Sequence, residues 1–338
     1  MKINKIASII TQKIDADFLN NENYVSTENL ISDFGGVLKA TTLPNGLVTK
    51  FNPNDILLSN IRPYFKKTWF AKFSGGCSTD VICLRTFDAS ILPKYLFYLL
   101  NTSKFVETFV GSSKGTKMPR GDKSVLLNYE FTLPNIIEQQ HIVDTIGSVD
   151  NLIENNDLIT YKIDYMLGLF FMRNLSTGYT EYKLSEICEI KYGIGLKASD
   201  LTSDHNYRVY GSNGIIGSLP TYEFSDYKIA LSCRGAASGS MIITEPYSTI
   251  SSNSLVLSPI NGVSLIHLYY SLYELNLSTY ATGSAQPQIT IENIKNLIVR
   301  LPKQLENYTH LLKAKSSINA NTEKLKEVKK HLLNNYFS

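Results

Sequence analysis

The chain has 338 residues, 43% of them hydrophobic and 19% charged, with a net charge of +3. Such a composition excludes a disordered chain and a polycation that coats nucleic acid without selection, and the length fits two domains of about 100–200 residues each. The four cysteines, Cys77, Cys83, Cys188 and Cys233, form no Cys-x-x-Cys pair and lack closely spaced histidines, so reduced, buried thiols in a cytoplasmic protein are expected and no zinc site.

Residues 1–134 are expected to form a compact region of short strands. Asp55 to Ile61 is an apolar run, Val81-Ile82-Cys83-Leu84 is β-branched and bounded by turn residues, and Asn128 to Leu133 has strand character. One helix is predicted among them, Leu92 to Phe109, with apolar residues at Tyr95, Leu96, Leu99, Leu100 and Phe105. Residues 135–176 then read as a long helical spacer. A second compact region, 177–302, has strands at Tyr227 to Ser232, Leu255 to Leu257 and Leu297 to Val299, and a helix near Val263 to Leu275. Residues 303–338 are a second helical spacer.

The two halves repeat each other. Gly115-Thr116-Lys117-Met118-Pro119-Arg120 precedes Leu133-Pro134 as Gly283-Ser284-Ala285-Gln286-Pro287-Gln288 precedes Leu301-Pro302, at an offset of 168 residues. Lys2 to Ile9 corresponds to Lys183 to Ile190 at an offset of 181, and Ile56-Leu57-Leu58-Ser59 echoes Ile229-Ala230-Leu231-Ser232. A period this long implies domain duplication, since solenoid repeats are far shorter.

Each spacer carries a heptad pattern. In the first, Ile142, Ile146, Val149, Ile153, Ile163, Leu167 and Phe170 step by threes and fours with a polar interruption at Asn156 and Thr160. In the second, Leu311, Ile318, Leu325 and Leu332 recur every seven residues, with Lys315, Asn321 and Lys329 interrupting. Such seams bury one helix face against another as knobs into holes. At ~1.5 Å per residue, about 36 residues make a rod of roughly 55 Å. The expected fold is α+β: two similar mixed domains joined and separated by two long helices that pair as an antiparallel coiled coil.

Catalytic signatures are missing. There is no phosphate-binding loop, dinucleotide fingerprint, nucleophile elbow or flipped-adenine tetrapeptide, and five histidines give no metal-ligand spacing. Glu189-Ile190-Lys191 could form half of a metal-dependent nuclease site, which keeps a self-sufficient nuclease as an alternative. No stretch approaches the ~18–20 apolar residues of a membrane span. What remains suits DNA reading, in which Arg, Asn and Gln address base edges while Lys, Ser and Thr hold phosphates. The loop 114–123 holds Lys114, Lys117, Arg120 and Lys123, whereas its counterpart is uncharged and carries Gln286 and Gln288. Further candidates on turns are Arg62, Lys66 and Lys67 in the first region and Arg208, Tyr210, Ser212, Asn213 and Arg234 in the second. A non-DNA scaffold or carbohydrate-binding adaptor would use the same loops and stays open.

The Leu-Pro junction followed by Ile137-Glu138-Gln139-Gln140-His141-Ile142-Val143 resembles the opening of the central helix in specificity subunits of type I restriction–modification systems. Tyr210-Gly211-Ser212-Asn213-Gly214-Ile215-Ile216-Gly217, Asn60-Ile61-Arg62-Pro63-Tyr64 and Lys117-Met118-Pro119-Arg120-Gly121-Asp122 are similar to motifs of that family too. The likeness spans the chain. It implies two target recognition domains reading a bipartite, asymmetric site in double-stranded DNA, with no catalytic residue and no cofactor of their own. It also implies helices that dock two methyltransferase subunits, and restriction subunits that complete the complex. One departure is that the second helix begins Leu301-Pro302-Lys303-Gln304-Leu305-Glu306-Asn307, without the Glu-Gln-Gln signature.

Overall fold

The computed structural model describes residues 1–115, 117–202, 206–283, 287–303 and 308–337. Contacts divide the chain into two units: Met1–Asn155 with Thr322–Ser338, and Asn156–Asn321.

In the first unit the chain forms β1 (Ala7–Ile9), β2 (Lys13–Asp15), β3 (Tyr24–Val25), β4 (Leu47–Phe51), β5 (Ile56–Ser59), β6 (Thr68–Phe70), β7 (Gly75–Cys77) and β8 (Val81–Thr86). Helices α1 (Pro93–Leu99), α2 (Ser103–Gly111) and α3 (Lys123–Asn128) follow, then the start of α4 (Ile136–Ser176). One antiparallel sheet has the order β1-β8-β5-β6, and a second the order β2-β4-β7-β3 with β3 parallel to β7. The central strand β5 is a continuous apolar run because both of its faces are covered. Ile56, Leu58, Ile82 and Leu84 turn toward α1, α2 and α4, while Leu57, Val81, Cys83 and Trp69 meet Val25, Phe51 and Cys77 from the other sheet. Just before β5 the carboxylate of Asp55, 1% exposed, accepts two bonds from Arg85 at 2.6 and 2.7 Å and a third from the Asn52 N–H. Such a charge is tolerated in a core because it is paired and fully hydrogen-bonded.

The second unit continues with β9 (Tyr179–Lys183), α5 (Leu184–Ile187), β10 (Cys188–Tyr192), β11 (Tyr207–Gly211), β12 (Gly214–Leu219), β13 (Ile229–Ser232), β14 (Met241–Ile243), β15 (Thr249–Ile250) and β16 (Ser254–Pro259). It ends with α6 (Leu265–Glu274), α7 (Ile291–Ile294), β17 (Ile298–Pro302) and the start of α8 (Thr309–Tyr336). Its main sheet has the order β10-β16-β13-β14, the connectivity of β1-β8-β5-β6 repeated. In both units the short strand just before β8 or β16 pairs in parallel with an earlier one, β7 with β3 and β15 with β11. The duplication read from the sequence is therefore one of topology.

Three local expectations change. The single helix over residues 92–109 divides into α1 and α2, because the Thr102 hydroxyl accepts from the Phe105 N–H and caps a new helix. The strand over 128–133 shrinks: α3 runs to Asn128, and the extended segment beyond it meets the chain start in a single β-bridge, Lys2–Glu130, flanked by the Ile3–Tyr129 and Met1–Phe131 bonds. Its counterpart, β17, forms a five-residue ladder with β9. The strand over 227–232 begins two residues later, at Ile229.

Helices α4 and α8 take part in both units and run antiparallel. In the first unit the N-terminal part of α4 meets the C-terminal part of α8: Ile142 and Ile146 share a core with Leu332, Leu333, Tyr336 and Phe337. In the second, Ile163, Leu167 and Phe170 pack with Tyr308, Leu311, Leu312 and Ile318. Val149 is buried, and Ile153 and Leu325 are half-buried. The lysines expected to interrupt the α8 heptads instead occupy its seam as paired charges, Lys315 with Asp164 and Lys329 with Asp150, each at 2.6 Å. The seam is thus a mixed one, in which ion pairs alternate with apolar layers and fix register.

The opening of α4 explains its motif. The Asn135 side chain accepts from the Ile137 and Glu138 N–H groups, and Glu138 reaches back to the Asn135 N–H. Gln139, wholly buried, donates to the Ser90 and Pro134 carbonyls and accepts from the Leu92 N–H. Glu-Gln is here a capping box plus a pin that fastens the helix to its own domain. The corresponding positions 304–307 lie outside the described residues.

Candidate nucleic-acid interface

Two loops in each unit come together in the same way. In the first, the Arg120 N–H donates to the Lys114 carbonyl and the Lys114 N–H to the Arg120 carbonyl, both at 3.0 Å. This small ring is clamped to the segment after β5: the Arg62 N–H donates to the Pro119 carbonyl at 2.7 Å and the Gly121 N–H to the Asn60 carbonyl at 3.1 Å. In the second unit Gln288 and Thr282 exchange the same pair of bonds at 2.8 and 2.9 Å. There the Gly235 N–H reaches the Pro287 carbonyl and the Ile289 N–H the Cys233 carbonyl. Arg120 and Gln288 thus hold one backbone position in two copies of one clamp.

The residue facing that position differs as well. The Arg120 guanidinium binds Asp80 at 2.9 Å, and Asp80 lies immediately before β8. The corresponding place before β16 is held by Asn253, whose carbonyl accepts from the Cys233 N–H as that of Asp80 accepts from the Asn60 N–H. A charged pair in one copy is replaced by amides in the other. Sequence reasoning missed the Asp80/Asn253 position, although extending the Ile56/Ile229 match forward would have found it.

A third element of the clamp is the turn after β5. Arg62 (φ 49°) and Lys66 (φ 52°) are both left-handed and enclose the short helical turn Pro63–Phe65. The second unit forms this turn with Gly235 (φ 77°) and Gly239 (φ 96°). Glycine adopts such angles freely, whereas a larger residue is strained by about 1–3 kcal/mol.

Of the other residues expected at the interface, Lys117 and Lys123 are exposed, Lys123 opening α3. Lys114 lies 3.2 Å from Asp122. The Ser124 hydroxyl and N–H, with Lys114, hold the Asp122 carboxyl down to about 2. Lys66 pairs with Asp33 at 3.4 Å, and the Lys67 ammonium donates to the Thr27 carbonyl at 2.6 Å, which gives Lys67 a role in holding the fold. In the second unit Ser212 donates to the Asn253 carbonyl at 3.2 Å, placing the Ser212–Asn213 hairpin tip beside the clamp, and Arg234 bridges to Gln288. Gln286 lies outside the described residues.

Arg208 and Tyr210 need correcting as surface readers. Tyr210 is 3% exposed, packs with Ala230, Ile250 and Val256, and its hydroxyl accepts from the Glu245 N–H. Arg208 projects from the same face of β11 and binds Glu245 at 3.1 Å. Both line a cavity of about 930 Å³ bounded by α4, α6, α8 and β14. Alternation along the strand sends them there, away from the Gly211–Gly214 tip.

Glu189 and Lys191, the residues on which a nuclease reading rested, pair with each other on β10 at 2.8 Å. Among the described residues no three His, Cys, Asp or Glu side chains are grouped to hold a metal ion. No described helix is long and apolar enough to cross a membrane.

The profile of the type I restriction modification DNA specificity domain matches residues 3–163 and again 177–330, so the sequence itself contains that domain twice. The chain belongs to this family. Membership makes DNA sequence specificity the function of the chain and leaves the nuclease and scaffold readings without support. The fold is similar over the whole chain to the crystal structure of a type I restriction–modification system S subunit from M. genitalium, with a TM-score of 0.59, 17% identity and 95% of that chain covered. The HsdS subunit from Thermoanaerobacter tengcongensis aligns with 17% identity over 100% of this chain and 95% of its own, at a TM-score of 0.41. A comparison with curated protein sequences gives no match.

Proposed function

We propose that this specificity protein reads a bipartite, asymmetric DNA site, one half-site per unit, and that it performs no catalysis itself. The observation that carries the reading is the shared clamp with Arg120 in one unit and Gln288 in the other. Arginine addresses guanine and glutamine addresses adenine in the major groove, so one backbone with two side chains is suited to two different half-sites. Lys114, Lys117 and Lys123 surround the first clamp and would hold phosphates, which position the protein without specifying sequence.

Methylation and cleavage would then belong to partners: two methyltransferase subunits docked on α4 and α8, joined by restriction subunits in a cytoplasmic complex. A second apolar face on α4 supports docking. Leu158, Tyr161, Tyr165, Leu169 and Met172 recur at helical spacing yet are about half exposed, while Ile163 and Leu167 on the seam are buried. The purified methyltransferase subunit is expected to modify DNA at specific sites only when this chain is added. Site-specific modification by that subunit alone would refute the assignment.

A further inference from the structure

The first unit carries an element that its twin lacks. Between the left-handed Arg62 and Lys66, the side chains of Tyr64 and Phe65 stand 48% and 39% exposed, with ring centroids 4.7 Å apart. The corresponding turn of the second unit keeps the backbone bonds: the Ser59 N–H donates to the Lys67 carbonyl as Ser232 does to Ser240, and Phe65 to Arg62 as Ser238 to Gly235. There, however, the tip reads Ala236-Ala237-Ser238, and its left-handed positions are glycines.

The aromatic tip is rigidly held. The Asp33 and Phe34 N–H groups, themselves at φ 52° and 61°, donate to the Phe65 and Lys66 carbonyls at 3.0 Å. From the other side the Pro119 carbonyl takes the Arg62 N–H. Four of the chain's left-handed non-glycine residues therefore meet at one tip, where glycine would serve the backbone better. Strain that the fold could relieve but retains marks a place where side chains are needed. Around the tip Arg62, Lys66 and Arg120 outnumber Asp33 and Asp80, which pair with Lys66 and Arg120, so the local balance is positive and Arg62 carries the excess, which makes a polyanion the fitting occupant.

We propose that Tyr64 and Phe65 form a wedge that enters the base stack of the first half-site and unstacks one step, while Arg62 and Lys66 grip the flanking phosphates. This rests on the DNA-reading function above. Apolar side chains presented by a rigid basic loop bend DNA in this manner, and the resulting deformability of the step adds specificity that no hydrogen bond supplies. The wedge acts at one half-site only, because the second unit has no ring at its tip.

The test uses the full chain with its methyltransferase subunit and duplexes carrying 2-aminopurine at successive positions of the site identified by methylation-sensitive sequencing. Wild-type protein should raise the fluorescence of a probe in the first half-site and of none in the second. The double variant Tyr64→Ala/Phe65→Ala should abolish that rise and weaken binding by about 5- to 100-fold, the range measured for losing a stacking ring. Arg62→Gly should raise the urea midpoint of the first unit while lowering affinity, a pairing that simple misfolding cannot produce. Specific binding with no fluorescence rise at any position would overturn the wedge and leave the reading function standing. Loss of the methyltransferase subunit with unchanged DNA affinity would make the tip a protein contact and overturn it as well. If no sequence-specific binding is seen at all, both readings fall.

Discussion

Replacing Asp150 with alanine should destabilise the first unit far more than a surface ion pair could. Asp150 accepts from the Tyr98 hydroxyl at 2.7 Å and from Lys329 at 2.6 Å, so it ties α1, α4 and α8 together. Its side chain is 17% exposed and that of Lys329 16%. Close by, burial depresses the pKa of Lys94, and the charge of Asp150 opposes that shift. Removing the carboxylate strands Lys329 beside Lys94 and leaves the Tyr98 hydroxyl unpaired. Breaking a buried pair in this way costs about 3–5 kcal/mol, against about 0–1 kcal/mol for an exposed one; partial access to water places the expected loss near ~3 kcal/mol. Trp69, the chain's one tryptophan, lies in the core of this unit and reports its unfolding by fluorescence. With a urea slope of about 1–3 kcal/mol/M, the midpoint should fall by roughly 1–3 M. Lys329→Met should cost less, because Asp150 keeps its bond to Tyr98, and the double variant should lose less than the two singles together. A midpoint shift below about 0.3 M for Asp150→Ala would show that the pair is effectively solvated, and the view of α8 as a charged seam would be wrong.

Arg120→Ala should reduce discrimination at the first half-site by about 1–3 kcal/mol per contacted base pair while leaving the second unchanged, and Gln288→Ala should do the reverse; competition binding with half-site variants distinguishes this from uniform weakening. Burial pushes the Cys77 and Cys188 thiols up to about 12, and Cys83 and Cys233 are buried too. The native protein should therefore resist a disulfide reagent at pH 8 and yield all four thiols only after denaturation. Asp122, held near 2, is depressed below its unfolded value of about 3.9. Its cap on α3 should be complete above pH ~4 and lost as pH falls through about 2, and amide exchange at Ser124 measures it. Asp122→Asn should remove that acid dependence.

The duplication, the central strands and the helical seams were legible because each rests on periodicity or repetition. Ile56–Ser59 and Ile229–Ser232 are apolar runs that only a covered strand tolerates, and Ile142, Ile146, Ile163 and Leu167 keep heptad spacing. What could not be read depended on partners distant in sequence. Lys315 and Lys329 look like interruptions until Asp164 and Asp150 are seen opposite them. Tyr210 looks like a loop residue until the alternation of β11 turns it inward to Glu245. The helix over 92–109 looks continuous because its apolar spacing survives the break, and only the capping hydroxyl of Thr102 reveals the second start. In the clamp, the equivalence of Arg120 and Gln288 was visible from the offset, and that of Asp80 and Asn253 from the Ile56/Ile229 match, but Tyr64 acquires meaning only once the turn after β5 is seen clamped to Pro119.

The share of α8 in the first unit bears on how the protein is made. Leu332, Leu333, Tyr336 and Phe337 complete a core whose other members, from Ile3 to Ile146, leave the ribosome much earlier. Through most of synthesis that apolar surface has no cover, whereas the section of α8 that belongs to the second unit follows directly on that unit's own chain. A frameshift or proteolytic nick just before Leu332 would therefore strike the half of the molecule made first, and spare the half made last.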